Sequence, residues 1–372
     1  MYNIVVIGAG ISGCCGAYFL NRAGLNTLLI DKSGVASTGG SYPAGAFISP
    51  KIGKYTPLLE LTNRAFEFSK DFYIKNFPKE YIKSGLIRLP RDNKDVPKFE
   101  EYFKNSQKHS VELIGKEQLR EYGVKNDEVG LLFRDAGFIS PQKLTKALIR
   151  DIKYLQYEVK SLEYRESRWI INNKIETERV VLATGYRDNL LDLRYMGIKG
   201  LWGSRGDYRT NLDLKVSIHK KISISANIGG VVRVGATHNR AKEPCILCDG
   251  NPLKSLEKEA KSMVDSGDFK LKEIFCGMRS SSKDYFPLVG EIVDVSFMLK
   301  SYPNLKYGAK APLKKLPNIY ILNGVGGRGF LFAPYLADRL TEYILNKTPI
   351  EERINPDRLF FKWCRKSFPT QN

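Results

Sequence analysis

Two arginines have the chemistry to hold an anion. Arg279 lies in the stretch CGMRSSSKDYFPLVG (276–290), and Arg328 is set between Gly327 and Gly329. A guanidinium offers two parallel N–H donors that match the fork of a carboxylate, so each is a candidate anchor for an anionic substrate. Each is also readable as a surface or structural arginine. Four further residues are candidates for substrate contact. Lys283 and Tyr285 flank the Arg279 segment, His238 follows the run VGAT, and Lys51 follows a stretch of small residues. Strand-end or solvent-exposed roles would account for them equally well.

Positioning such groups falls to two glycine-rich turns some three hundred residues apart. The first is IVVIGAGISG (4–13). A short apolar run precedes Gly8, Gly10 and Gly13 in G-x-G-x-x-G spacing, a helix-like stretch runs on to Gly24, and a second apolar run, NTLLI, ends at Asp31. Strand, helix, strand and acid in this order form a dinucleotide-binding unit. The glycines allow the tight turn, the helix N-terminus faces a pyrophosphate, and the acid takes a ribose hydroxyl. The second turn, NGVGGRGFLFAP (323–334), again follows an apolar run and opens a helix-like stretch.

The fingerprint alone leaves NAD and FAD open. After Asp31, residues Gly34 to Pro50 are small and follow no regular period, where an NAD domain would continue with a crossover helix and strand. Such a loop suggests backbone packed against something large and flat. Further on, 157–185 reads as strand, hairpin and strand, ending in Ala183-Thr184-Gly185.

Composition bounds the rest. The 372 residues suffice for two domains, and no stretch approaches the ~20 apolar residues of a membrane span. The N-terminus lacks a basic region before its apolar run, so no secretory signal is expected. The six cysteines (Cys14, Cys15, Cys245, Cys248, Cys276, Cys364) show no framework spacing, which suits a reducing cytoplasm, and no metal is expected at Cys245-Ile-Leu-Cys248 for want of a second pair. Lys and Arg number 59 against 40 Asp and Glu, a formal charge of +19. That excess fits either a lysine-rich solvated surface or a polyanionic partner. Basic clusters lie at 219–221, 308–315 and 358–366, the last interleaved with aromatics.

Together, GAGISG, AGFISP (136–141), LATG, VGAT, GMR…FPLVG and GGRGFLFAP resemble the amine-oxidising flavoproteins that include D-amino acid oxidase, glycine oxidase and sarcosine oxidase. The segments ASTGGSYPAGAFISPKIG, GMRSSSKDYFPLVGEIVD and INPDRLFFKW are similar, more closely, to the FAD-dependent oxidase half of the bifunctional enzymes of 5-methylaminomethyl-2-thiouridine biosynthesis on tRNA. The resemblance implies a mixed α/β fold in two parts. A Rossmann-like FAD domain would take 1–78, 140–200 and 310–372, and an antiparallel-sheet substrate domain 79–139 and 201–309. It implies non-covalent FAD held by both turns. By position it assigns to the cofactor Gly8, Gly10, Ile11, Ser12, Gly13, Asp31 and Lys32. Ser37, Thr38, Gly39, Gly45 and Ala46 follow in the loop, then Val159, Ala183, Thr184 and Gly185. Gly324, Gly326, Gly327, Arg328, Gly329 and Phe330 complete the set.

Arg279 matches the carboxylate-binding arginine, with Arg328 second. The implied reaction is oxidative removal of a carboxymethyl group from the wobble uridine of tRNA, giving aminomethyl-uridine and glyoxylate. Such chemistry is carried mainly by the cofactor, so a chain with only three histidines is no obstacle. A stand-alone oxidase is expected, since the first strand begins at residue 3, with tRNA as partner. The alternative is an oxidase or dehydrogenase of a free small amino acid such as glycine, sarcosine or a D-amino acid.

Overall fold

The computed structural model describes residues 1–125, 127–186, 190–239, 248, 251–264 and 268–367. Two eight-stranded sheets organise them. In the first, Tyr2–Ile7 pairs in parallel with Thr27–Asp31 on one side and Ile175–Leu182 on the other, and Ile175–Leu182 pairs in parallel with Lys315–Asn323. Ile4, Val5 and Val6, like Ile319, Ile321 and Leu322, have no exposed surface. Strands covered on both faces must be apolar throughout, so these segments read as unbroken runs and not as alternations. The carboxyl ends of the parallel strands lie side by side, and both glycine turns and the 183–185 turn leave the sheet there. A crevice at that edge is where ligands bind in such sheets. The helices Ile11–Arg22 and Gly329–Asn346 pack together over one face. Gly16 lets the first of them lie close on the strand Lys315–Asn323, since a Cβ there would lie 3.2 Å from Leu322 Cδ2.

The second sheet is antiparallel apart from one parallel pairing, Leu86–Arg88 with Ser217–His219. Its backbone is the long pairing of Lys199–Arg209 with Lys270–Ser281. Within 221–228 (KISISANI), Ser223–Ile224 is strand. Residues 288–309, expected with this sheet, lie with the first. Leu288–Val293 pairs antiparallel with Lys315–Asn323, and Val295 and Met298 enter the core beneath it. The apolar run LVGEIV supplies a strand on the other side of the expected boundary at 309.

The C-terminal helix Asp357–Ser367 buries Leu359, Phe360 and Cys364 in the same core. Arg358 fastens it to the turn that follows Arg279. Its Nε and Nη2 donate to Asp284 at 2.8 and 2.9 Å, Nη2 also to the Phe286 carbonyl at 3.0 Å, and Nη1 to the Asn355 carbonyl at 2.9 Å. Burial pushes the Asp284 carboxyl up, but the Arg358 guanidinium outweighs it and holds the group below its ordinary value. A depressed carboxyl stabilises the fold at neutral pH and loses that contribution as pH falls below about 4. Arg358→Ala is therefore expected to cost about 2 kcal/mol, with a deficit that narrows in acid. Thermal melts at pH 7 and at about pH 2.5 check both halves.

The cysteines depart from the expectation of unpaired thiols. Cys248 and Cys276 form a disulfide across 28 residues of sequence, a pairing that no local spacing announces. Cys245 lies outside the described residues. Cys14 and Cys15 are fully buried, and burial pushes both thiols far up.

Candidate active site

The first turn is shaped by packing at two of its glycines. Gly8 has φ +106°, and a Cβ there would meet the Ala183 carbonyl oxygen at 2.4 Å; one on Gly13 would meet the Gly8 oxygen at 1.7 Å. Gly10 differs, because an added Cβ meets only Ser41 Oγ, at 3.1 Å. Its bareness keeps open the approach to the N-terminus of Ile11–Arg22, where no acid occupies the first turn and Ser41 Oγ accepts the Ile11 N–H at 2.9 Å. Ser12 is buried. Asp31 accepts from the Ala9 and Ser33 N–H groups, each at 2.7 Å, so its carboxylate also braces the turn. An open cradle at the positive end of a helix fits a pyrophosphate. Gly10→Ala is expected to fold with unchanged melting temperature once stripped of cofactor, yet to bind FAD at least ~10-fold more weakly. Gly13→Ala is expected not to fold. Flavin absorbance after gel filtration and circular dichroism distinguish the two.

The small-residue loop lies against the second sheet, tied down by three arginines. Arg205 donates to the Ala44 carbonyl, and Arg233 to those of Ile139 (2.6 Å) and Gly45 (3.4 Å). Arg88 donates to Ser49 Oγ at 2.8 Å and the Pro50 carbonyl at 2.9 Å. Contact is close enough that a Cβ on Gly277 would lie 2.1 Å from the Gly39 oxygen, and one on Gly40 would lie 3.1 Å from Arg279 Cα. Ala46 is buried at φ +51°. Ser37 bonds to the Ser33 carbonyl at 2.7 Å, Thr38 is exposed, and exposed Lys32 faces Glu158 at 3.8 Å. Val159 packs into the core on the far side of the first sheet.

The second turn is organised by Asn323, which is 2% exposed. Its Oδ1 accepts from Gly324 N–H and Ser280 Oγ–H, both at 2.8 Å, and its Nδ2 donates to the Gly185 carbonyl at 2.7 Å. One side chain thus joins this turn, the 183–185 turn and the Arg279 strand. Gly324 and Gly326 have φ of +72° and +57°. The helix Gly329–Asn346, with Phe330 buried in its first turn, has no acid there and no capping side chain. A Cβ on Gly329 would lie 3.1 Å from Ile11 Cγ2, and one on Gly327 would lie 3.7 Å from Arg279 Cδ. Both turns and Arg279 therefore converge on one place.

Among the described residues, the charged groups that act on Lys51, Arg88, His219 and His238 are arginines. Arg279 Nη1 donates to the Thr237 carbonyl at 3.3 Å, and burial lowers the guanidinium's affinity for its proton. The bare Gly203 makes room, since a Cβ would lie 2.5 Å from Nη1 and Nη2. Burial holds Arg328 down to about 10, and its Nη1 has no partner. Arg88 is held down to about 9 by burial, then by Arg328 and Arg91, and its Nε is also unpartnered. Lys51 is lowered by burial, Arg328 and Arg91. His219 is pushed well down by burial and then by Arg88, Arg328 and Arg91. His238 is lowered by partial burial and by Arg279. Among the described residues no carboxylate forms an ion pair with Arg88, Arg279 or Arg328. Such a pocket attracts a carboxylate and disfavours an ammonium.

Of the sequence candidates, Arg279, Arg328, Lys51 and His238 come together. Lys283 and Tyr285 are exposed on the turn beyond Arg279, Tyr285 at 64%. Arg88, Asn323, Ser280 and Ser41 went unread. Arg88 sits in IRLPRD with no motif around it. Asn323 stands directly before the first glycine of its turn, a position that could have been questioned.

The fold and the converging turns define a FAD-dependent enzyme. The profile of the FAD dependent oxidoreductase family matches residues 3–343, and the chain belongs to that family. It is 27% identical over 361 residues to the tRNA 5-methylaminomethyl-2-thiouridine biosynthesis bifunctional protein of Idiomarina loihiensis, covering 90% of this chain and 54% of that protein. It is 26% identical over 390 residues to the protein of the same description from Campylobacter concisus, covering 97% and 60%. The chain thus spans little more than half the length of these relatives. Among solved structures, glycine oxidase from Bacillus cereus superposes with a TM-score of 0.77 at 18% identity, covering 100% of this chain and 99% of that one.

Proposed function

We propose that this chain oxidises the carboxymethylaminomethyl group of the wobble uridine in tRNA, yielding aminomethyl-uridine and glyoxylate. The observation that carries the reading is Arg279, partly buried and with no acid paired to it among the described residues, beside the second glycine turn. It suits the carboxylate of an N-substituted glycine, and similarity to tRNA-modifying relatives along nearly the whole chain supports tRNA as its bearer. FAD would supply the hydride acceptor for the substrate's methylene C–H. Arg279 would orient the carboxylate through two parallel N–H donors. The surrounding cations would favour the neutral amine, whose lone pair assists loss of hydride. The resulting substrate imine, on adding water, separates into glyoxylate and the primary amine. The loop 34–50 and the second sheet would keep water from the reacting carbon. Among the described residues no helix is long and apolar enough to cross a membrane. A cytoplasmic location fits a tRNA substrate.

A second reading, oxidation of a free small amino acid, is favoured by the match to glycine oxidase along its entire length. Nucleoside analysis of tRNA from a deletion strain separates the two. Accumulated carboxymethylaminomethyl-uridine is expected, and an unchanged nucleoside profile would defeat the tRNA reading.

A further inference from the structure

The basic residues of this chain are not spread evenly once ion pairs are counted. In the cluster 219–221, His219 is partly buried with its imidazole pushed well down, Lys220 is 2.8 Å from Asp127, and Lys221 is 3.9 Å from Glu259. The other two clusters keep more of theirs, Lys315 and Arg358 being the cations in them that pair with a carboxylate among the described residues. Residues 295–337 contain no Asp or Glu. The turn Pro303–Tyr307 packs against the helix Asp357–Ser367, and a Cβ on Gly308 would lie 3.4 Å from Arg365 Cδ. Folding thus merges the second and third clusters into one face. Lys306, Lys310, Lys362 and Lys366 on it are exposed, and none is within 4.0 Å of a carboxylate among the described residues. Lys315 differs, being paired with Asp357.

The same face exposes large aromatic rings. Phe297 is 42% exposed, Tyr302 36% and Tyr307 61%, while Leu305 between the last two is buried. Lys306 Nζ lies 4.9 Å from the Tyr307 ring centre. Exposed rings cost free energy in water unless something covers them, and rings among unpaired cations match unpaired bases flanked by phosphates. The face is also joined to the candidate active site, because the Arg358–Asp284 clamp fixes the Ser282–Phe286 turn, next to Arg279, onto the helix 357–367.

We infer that this face, formed by 295–314 and the helix 357–367, holds a single-stranded RNA loop while its target base enters beside Arg279. The inference rests on the tRNA reading above. Lysines would contact phosphates, and Tyr302 and Tyr307 would stack on unpaired bases.

The test uses FAD-loaded protein, unfractionated tRNA, an anticodon stem-loop hairpin and a blunt RNA duplex of equal length. Reversing Lys306, Lys310, Lys362 and Lys366 to Glu is expected to weaken tRNA binding at least ~30-fold at about 0.1 M salt, and to lower the slope of log K against log salt by about three. An equal reversal at Lys75, Lys79, Lys104 and Lys108 is expected to change affinity less than ~3-fold and to leave the slope nearer the parent's. Tyr302→Ala with Tyr307→Ala is expected to weaken the hairpin at least ~5-fold and the duplex not at all. FAD content and melting temperature report folding in each variant. If the parent binds tRNA and both reversals weaken it alike, the face is wrongly placed while the tRNA reading stands. If the double tyrosine variant binds the hairpin as the parent does, no bases are stacked there. A parent that binds no tRNA overturns both.

Discussion

Arg279→Leu is expected to slow flavin reduction by the carboxymethylaminomethyl substrate on the order of a hundredfold or more, equivalent to about 2.7 kcal/mol of transition-state stabilisation. Leucine removes both the charge and the fork that would orient the carboxylate, and Arg279→Lys, which restores the charge alone, should recover only part of the rate. The side chain reaches its place because Gly203 lacks a Cβ and the Thr237 carbonyl holds Nη1, so the protein should still fold and load FAD. Binding of the RNA body, held elsewhere, should barely change. Anaerobic stopped-flow absorbance at saturating enzyme reads the effect directly. Parental bleaching by Arg279→Leu would reassign the anchor.

Arg328→Met should move stability and activity in opposite directions. Arg328 is partly exposed as a residue, but its Nη1 is buried without a hydrogen-bond partner, and no carboxylate pairs with it among the described residues. An uncompensated buried ion costs several kcal/mol, so an apolar side chain of similar reach should raise the melting temperature of cofactor-free protein, by roughly 2–4 °C for each kcal/mol recovered. The same change removes a cation from the pocket and should slow flavin reduction about tenfold or more. Melting curves on stripped protein, paired with reduction rates on loaded protein, give both numbers. A lower melting temperature would mean that Arg328 has structural partners outweighing its desolvation.

Local pattern made the first sheet and both turns legible. Tyr2–Ile7, the Gly8–Gly13 turn and Asp31 are consecutive in sequence, so spacing alone reports their geometry. The second turn was equally visible in NGVGGRGFLFAP. What the sequence left hidden is long-range. Arg88 reaches the pocket only because Leu86–Arg88 pairs with Ser217–His219, more than a hundred residues away. Asn323 acquires its role from Ser280 and Gly185, neither of them near it in the chain. The Leu288–Val293 strand belongs to the first sheet through a pairing that composition does not show. The Cys248–Cys276 pairing likewise depends on where a long strand passes. The small-residue loop 34–50 was recognisable as closely packed backbone, but the arginines that grip it come from a different sheet.

That Arg88 and Arg328 meet no carboxylate among the described residues has a practical consequence for anyone handling the protein. A pocket lined with positive charge acts as a miniature ion exchanger and should take up whatever small anion its surroundings offer. Each anion that binds the folded state alone raises the melting temperature by mass action, and must be displaced before a substrate carboxylate can enter. Sulfate and phosphate should therefore protect the protein against heat while inhibiting it competitively. Acetate, a fragment of the proposed substrate, should do so at the Arg279 end. An enzyme prepared in sulfate and assayed without exchange would look both sturdier and slower than it is.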